Sequence, residues 1–335
     1  MRAHNIPAPA SIDYMHTWWA GARVARWSHP AFAAAIFTFQ ESSAFEQDES
    51  KMIRIFFLLI IAVLSLKAAA ADDAAPATYS VGVAAVDITP GYPIRLNGFG
   101  GRSKESEGVR QQIWAKALAV GTTDQNTVVV ITVDTLGIPD DLTERVAAKL
   151  EVNGIDRSRI AICASHTHSG PMIRNCANTL FGQPIEDSQW QTILKYSEEL
   201  EAKLEQVAIA ALADRKPALL SWGIGKVGFA MNRRRQGGPV DHDVPLLAVR
   251  NPDGQLRAVF TNYACHCVTL SDDMISGDWA GYAMDHIQRR NPGCQALISI
   301  GCGADSNPRG GVLGSRADVA DSLGQELAEE VQRLL

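Results

Sequence analysis

Cysteine is scarce: six in 335 residues exclude a disulfide-built scaffold, though not one or two bridges. Clustered basic charge is scarcer still. The net charge is -6, and the one basic run, Arg233-Arg234-Arg235, is too short for a groove that neutralises nucleic-acid phosphates. No repeat period and no low-complexity tract occurs, which excludes solenoids and fibrous chains. No apolar run reaches the ~20 residues of a membrane span. What is present, 46% hydrophobic and 20% charged residues, is the composition of a globular chain with one large core or two smaller ones.

The longest apolar run, Ile55 to Leu66, is broken only by Ser65. Lys51 and Arg54 precede it, Lys67 closes it, and Ala68-Ala69-Ala70-Ala71 then Asp72-Asp73 follow. A basic segment, an apolar segment and a small-residue site in that order predict a secretory signal peptide. No cysteine follows, which argues against a lipid anchor. With Met52 as the start, residues 1–51 read as an unfolded upstream extension and 52–71 as the signal peptide. The expected location is secreted or periplasmic, in a bacterium; the alternative is a signal anchor that holds the chain in the membrane.

Beyond Tyr79 strands and helices interleave. Val81–Val86, Ile113–Val120 and Val128–Val133 read as strands, the last two as neighbours across a polar turn. A helix is expected over Pro139–Asn153 and a buried strand over Arg159–Ala164. The clearest helix runs from Asp187 to Asp214, with Trp190, Ile193, Leu194, Leu200, Leu204, Val207 and Ala211 on one face and Pro217 ending it. Val244–Val249 and Leu256–Ala264 flank a hairpin turn at Asn251-Pro252-Asp253-Gly254. A helix near Asp278–Arg290, a strand Ala296–Ile300 and a helix Arg316–Leu335 follow. The expected class is α/β, layered mixed sheets with flanking helices. The last helix keeps an apolar stripe (Ala320, Leu323, Leu327, Val331, Leu335) to its end, which predicts that more chain once followed.

Chemistry-bearing residues gather where strands end, because loops there are polar and converge. Ser165-His166-Thr167-His168-Ser169-Gly170-Pro171 leaves one strand, and His166 and His168 would share one side of an extended chain. Imidazole is the commonest zinc ligand, although two turn histidines can equally bond the backbone. Asn262-Tyr263-Ala264-Cys265-His266-Cys267-Val268 leaves another strand. There His266 faces away from Cys265 and Cys267, which read as small core residues or disulfide partners. Two strands each delivering a histidine to one edge would assemble a mononuclear site.

Three further segments are weaker candidates. Asp278, at a helix start, reads first as an N-cap. Gly301-Cys302-Gly303-Ala304-Asp305-Ser306-Asn307-Pro308 is a glycine-rich turn after a strand. Its amides could polarise a carbonyl, but it lacks the phosphate-loop spacing and reads otherwise as an Asx turn at Asp305. Asn232-Arg233-Arg234-Arg235 could hold a carboxylate or an amide oxygen. Asp241-His242-Asp243 precedes a strand and ranks below the histidine sites.

In their order along the chain, Val81-Gly82-Val83, Asp87-Ile88-Thr89-Pro90, Asn97-Gly98-Phe99-Gly100, Ser165-His166-Thr167-His168-Ser169-Gly170-Pro171, Asn232-Arg233, His266, Ser276-Gly277-Asp278-Trp279-Ala280-Gly281-Tyr282-Ala283 and Gly303-Ala304-Asp305 resemble the neutral/alkaline non-lysosomal ceramidases. The resemblance covers 79–335 and looks like the front part of that family's catalytic domain. It implies a zinc amidase that cuts the N-acyl bond of ceramide or a related lipid amide. By position it implies His166 and His266 as Zn2+ ligands, His168 as an imidazole touching substrate or nucleophile, and Arg233 as a holder of the reacting head group. The family's serine nucleophile aligns with Asn307 in Asp305-Ser306-Asn307-Pro308, so water replaces serine as the expected attacker, with Ser306 one residue out of place. The Glu and Tyr that complete the family's zinc site have no counterpart before Leu335. The domain is therefore expected to be incomplete at its C-terminus.

The expected function is a zinc-dependent carboxamide hydrolase acting on a small-molecule or lipid amide. A lipid amide would entail peripheral contact with membrane lipid; neither a nucleic acid nor a protein partner is expected. The alternative is an exported, non-catalytic binding or structural domain that retains this fold. A cysteine-centred redox protein is a third reading, weakened by the lack of a Cys-x-x-Cys.

Overall fold

The computed structural model describes residues 78–122, 126–177, 180 and 184–335. The expected extension over 1–51 and signal peptide over 52–71 lie outside the described residues. Strand β1 (Tyr79–Asp87) is followed by the two-residue β2 (Gly108–Val109), β3 (Trp114–Gly121) and β4 (Val128–Val133). Helix α1 (Asp140–Glu151) leads to β5 (Ile160–Ala164), and the long α2 (Asp187–Ala213) to β6 (Lys216–Lys226). Then come β7 (Ala230–Asn232), β8 (Asp243–Arg250), β9 (Leu256–Tyr263), β10 (Met274–Ile275), α3 (Asp278–Arg290), β11 (Gln295–Ile300), β12 (Ser306–Pro308) and α4 (Ala317–Leu334).

Eight strands form one mixed sheet in the order β11-β9-β8-β6-β1-β3-β4-β5. Pairing is antiparallel except for β4 with β5 and β9 with β11, where α1 and α3 make the crossovers. The α/β class is thus as expected, with one large mixed sheet and two small ones that pair β2 with β10 and β7 with β12. No helix among the described residues is long and apolar enough to cross a membrane.

The sheet folds back on itself, and this places the site. Alternate residues of β1, β3, β4 and β5 (Val86, Ala117, Ile131, Ile162) point out under α1 and α2. Those of β8, β9 and β11 (Leu246, Val259, Ile298) point out under α3 and α4. The opposite faces of the two halves meet in a thin inner core of Val81, Leu118, Ala218, Val249, Ala258 and Leu297. Polar side chains stitch the halves: Lys116 Nζ on β3 donates to Ala296 O on β11 at 2.8 Å, and Arg257 Nη1 on β9 donates to Val81 O on β1 at 2.6 Å.

Strand β6 escapes a reading by pattern. Pro217 ends α2 as expected but is itself the second residue of β6, paired with Ser80; proline is admissible at a strand's start. Gly223 and Gly225 then break the apolar alternation. A Cβ on Gly225 would lie 2.2 Å from Glu330 Oε1 of α4, whereas one on Gly223 would make ordinary contact with Leu334 at 3.7 Å. Helix α4 buries Ala320, Leu323, Leu327 and Val331, the stripe read from sequence, and Arg250 Nη2 donates to Leu335 O at 2.9 Å.

Candidate metal centre

Both histidine segments leave strands from opposite halves of the folded sheet, and a parallel bridge joins Thr167 to Cys267. The amide of His168 donates to Cys267 O at 3.0 Å, and Thr167 Oγ1 donates to Ser276 O at 2.8 Å. The amide of His266 donates to Ser306 O at 3.0 Å, and the Trp279 indole N–H donates to His266 O at 2.8 Å. The rings of His166 and His266 come to rest 4.7 Å apart, centroid to centroid.

His168 joins them, for a reason other than the expected one. His166 is not extended: its φ is 64°, a left-handed conformation that costs a β-carbon-bearing residue about 1 kcal/mol or more. The turn at His166, not a shared strand face, sets the two Nε2 atoms 3.4 Å apart. One nitrogen from each of His166, His168 and His266 lies within 4.8 Å of the others, which could hold a metal ion.

Hydrogen bonding divides the three imidazoles. His166 Nδ1 sits 2.6 Å from Leu136 O, and His266 Nδ1 sits 2.8 Å from Gly303 O and 3.2 Å from Ser306 O. A carbonyl can only accept, so both Nδ1 atoms carry the proton and both Nε2 lone pairs face the centre. His168 Nδ1 is buried with no partner. A buried N–H left unpaired costs ~1–3 kcal/mol, so the His168 proton belongs on Nε2. Two rings thus leave Nε2 as an acceptor and the third offers an Nε2–H, all at one spot.

All three are held neutral. Burial, then the other two imidazoles, then Arg102 and Arg233 push His168 down to about 3. Burial first, with Arg233 adding, lowers His166; burial and then His166 lower His266. Neutral imidazole is the metal-binding form.

Arg233 comes close enough to act on all three rings. Its amide donates to Asp305 O at 2.7 Å and its Nε to Ala304 O at 3.0 Å. Asp305 is held by Asn232 Nδ2 at 3.1 Å rather than by an Asx turn. Ser306 is 1% exposed, with its Oγ 3.4 Å from the Asp305 carboxylate; Asn307 keeps a buried Oδ1 without a partner. The turn's carbonyls at Gly303 and Ser306 hold the His266 ring, while the amides of Gly303 and Ser306 are used inside the turn. Tyr263, at the end of β9, ties down the segment that leads through β7 to Arg233, accepting from the Ala230 amide and donating to Val227 O. Tyr263→Phe is expected to cost about 1–3 kcal/mol, read as a lowered urea midpoint at unchanged slope.

Other expectations are corrected here. Asp278 is no N-cap, because Gly277 caps α3 without a side-chain bond; its buried carboxylate instead accepts from the Leu270 and Trp279 amides. Cys265 and Cys267 are free, fully buried core residues, so the disulfide alternative falls. Asp241-His242-Asp243 joins no metal group among the described residues; Asp243 pairs with Lys226 at 3.4 Å. Sequence reasoning missed Arg102, an ordinary-looking loop residue that lies 7% exposed behind His168. Only burial, which no pattern announces, sets it apart.

Residues 79–216 match the family model described as neutral/alkaline non-lysosomal ceramidase, N-terminal. Inside that range fall His166 and His168; Arg233, His266 and Asp305–Asn307 lie beyond it. Among solved structures, the neutral ceramidase from Pseudomonas aeruginosa matches with a TM-score of 0.64 at 19% identity, over 76% of this chain and 44% of that one. A ceramidase complexed with C2 matches with a TM-score of 0.64 at 19% identity, over 76% and 43%. No curated protein sequence matches. This chain therefore spans less than half the length of those solved ceramidases. Its fold is that of those ceramidases, and over residues 79–216 it matches the N-terminal model of the neutral/alkaline non-lysosomal ceramidase family.

Proposed function

We propose that this chain is a zinc-dependent hydrolase of carboxamides, cutting the N-acyl bond of ceramide or a related N-acyl lipid outside the cytoplasm. The observation that supports it most is the pair of Nε2 lone pairs, each prepared by a backbone carbonyl at Nδ1. That donor set, two neutral imidazoles beside a third polar ring, suits zinc. His166 and His266 would hold the ion, which when bound supplies a Lewis acid for the amide carbonyl.

The remaining residues do the rest of the work. His168, neutral across the working range, offers an Nε2–H to the oxygen on which charge develops. Arg233, exposed and held by its amide to Asp305 O and its Nε to Ala304 O, orients the head group with its remaining donors. Asn307 has no hydroxyl with which to form an ester. Ser306 is buried against Asp305. Attack by water is then the route these residues allow.

The test is elemental analysis of the purified chain, followed by hydrolysis of a fluorogenic N-acyl amide with and without chelator. Zinc uptake from zinc-containing buffer, weaker than in a site with three or more protein ligands, and chelator-blocked release are expected. Release that ignores the chelator, or a chain that takes up no zinc and releases nothing, would overturn the proposal; the second result is what a non-catalytic domain of this fold would give.

A further inference from the structure

His168 presents a problem of orientation. Its two neighbours have rings pinned by carbonyls at Nδ1, but the Nδ1 of His168 bonds nothing. Packing must therefore aim its Nε2–H. Behind the ring stands Gly98, with φ of 99°, where an added Cβ would lie 2.6 Å from His168 Cγ and 2.7 Å from Nδ1. At its edge stands Phe99, ring centroids 5.0 Å apart and tilted 64°. Over Phe99, at 4.8 Å from its centroid, lies the guanidinium of Arg102.

The same guanidinium grips the backbone on every side. Nη1 donates to Asn97 O at 2.5 Å and to His168 O, and Nη2 donates to Asp272 O at 2.7 Å. Nε faces the Asp273 carboxylate at 3.4 Å. One planar cation thus fixes the main chain of His168 and, through a stacked ring, its side chain. Lysine could supply the charge but neither the fork nor the stack. Burial is the cost: desolvation lowers the guanidinium's pKa, and the two aspartates offset it.

We propose that Arg102 is the positioning residue of His168, aiming its Nε2–H at the centre through Phe99 and the His168 carbonyl; this rests on the reading of His168 as the site's donor. The test uses the zinc-loaded chain with Arg102→Lys and Phe99→Leu, the second serving if the first fails to fold. Expected in each variant are a zinc dissociation constant within about threefold of wild type, and turnover of a soluble N-acyl amide lowered roughly 10–100-fold at nearly unchanged KM. In the His168→Ala background, neither change should lower turnover further. By nitrogen NMR the His168 Nε2–H signal, sharp in the wild type, should broaden in both variants. An unaltered His168 signal, or an Arg102→Lys penalty as large without His168 as with it, would overturn the proposal. A wild-type chain without amidase activity would sink the functional reading while the NMR still decided whether Arg102 orders His168.

Discussion

His166→Ala and His266→Ala are each expected to weaken zinc binding at least ~100-fold, whereas His168→Ala leaves it within about threefold. The ordering follows from proton placement rather than distance. By distance alone the three imidazoles are equivalent, since their nitrogens all lie within 4.8 Å of one another. By hydrogen bonding they are not, because only His166 and His266 have an acceptor at Nδ1 that frees Nε2 for a metal. His168→Ala should instead lower amide turnover by about 10²–10⁴-fold, the range for loss of a proton-donating group. Competition against a chelator gives the affinities and a fluorogenic amide the turnover. If His168→Ala loses zinc as completely as the other two, the centre uses three imidazoles and the division of roles is wrong. Because burial lowers the pKa of both proposed ligands, zinc uptake should also persist below the pH near 6.5 where ordinary histidines protonate.

Lys116→Met is expected to stabilise the chain at pH 7 by about 1–2 kcal/mol. Lys116 is 2% exposed on the inner side of β3. Its ammonium meets Gln288 Oε1 at 2.8 Å, Ala296 O at 2.8 Å and Met284 Sδ at 3.4 Å. Burial pulls its pKa down to about 8, against the opposing pull of Asp134 and Asp285. An unfolded lysine holds its proton to about pH 10.4. Below pH 8 both states are charged and the full penalty, on the order of 3 kcal/mol, weighs on the fold. Between pH 8 and about 10.4 the unfolded chain binds more protons, so this group's contribution to stability rises with pH. Methionine removes the buried charge but leaves the Gln288 and Ala296 oxygens without their donor, which takes back part of the gain.

Buried thiols pull the other way above pH 9, because burial raises the pKa of Cys163, Cys176, Cys265, Cys267 and Cys294. The informative quantity is therefore the difference between variant and wild type. Urea unfolding at several pH values should show the difference between Lys116→Met and wild type falling by roughly 3 kcal/mol from pH 8 to pH 10.4, so that the advantage near neutral pH becomes a deficit. A difference that stays constant over that range would mean Lys116 is not held near 8.

Much of this architecture could be read in advance where one physical signal dominated. Helix α2 shows its face in the spacing of Ile193, Leu200, Leu204, Val207 and Ala211, all buried. The hairpin of β8 and β9 is announced by Asn251-Pro252-Asp253-Gly254, and Asp278–Arg290 begins and ends as its pattern says. Reading failed where two signals conflicted. In β6 Pro217 sits at the strand's start and Gly225 lies against the Glu330 side chain of α4, so residues that ordinarily interrupt strands stand inside one. At Asp278 a favourable cap residue serves a neighbouring loop instead.

By itself the amino-acid order determined the long helices and most of the longer strands, the α/β class and the two strand ends where histidine would be found, because periodicity and turn chemistry act over a few residues. Only the tertiary structure decided how those histidines differ. The sheet's fold-back sets Thr167 beside Cys267, and the carbonyls of Leu136 and Gly303 then choose which nitrogen of His166 and His266 keeps its proton. These partners lie about 30 and 37 positions away along the chain. No local pattern reaches that far; a hydrogen bond, being short-ranged and directional, answers only to atoms that folding has brought within 3 Å.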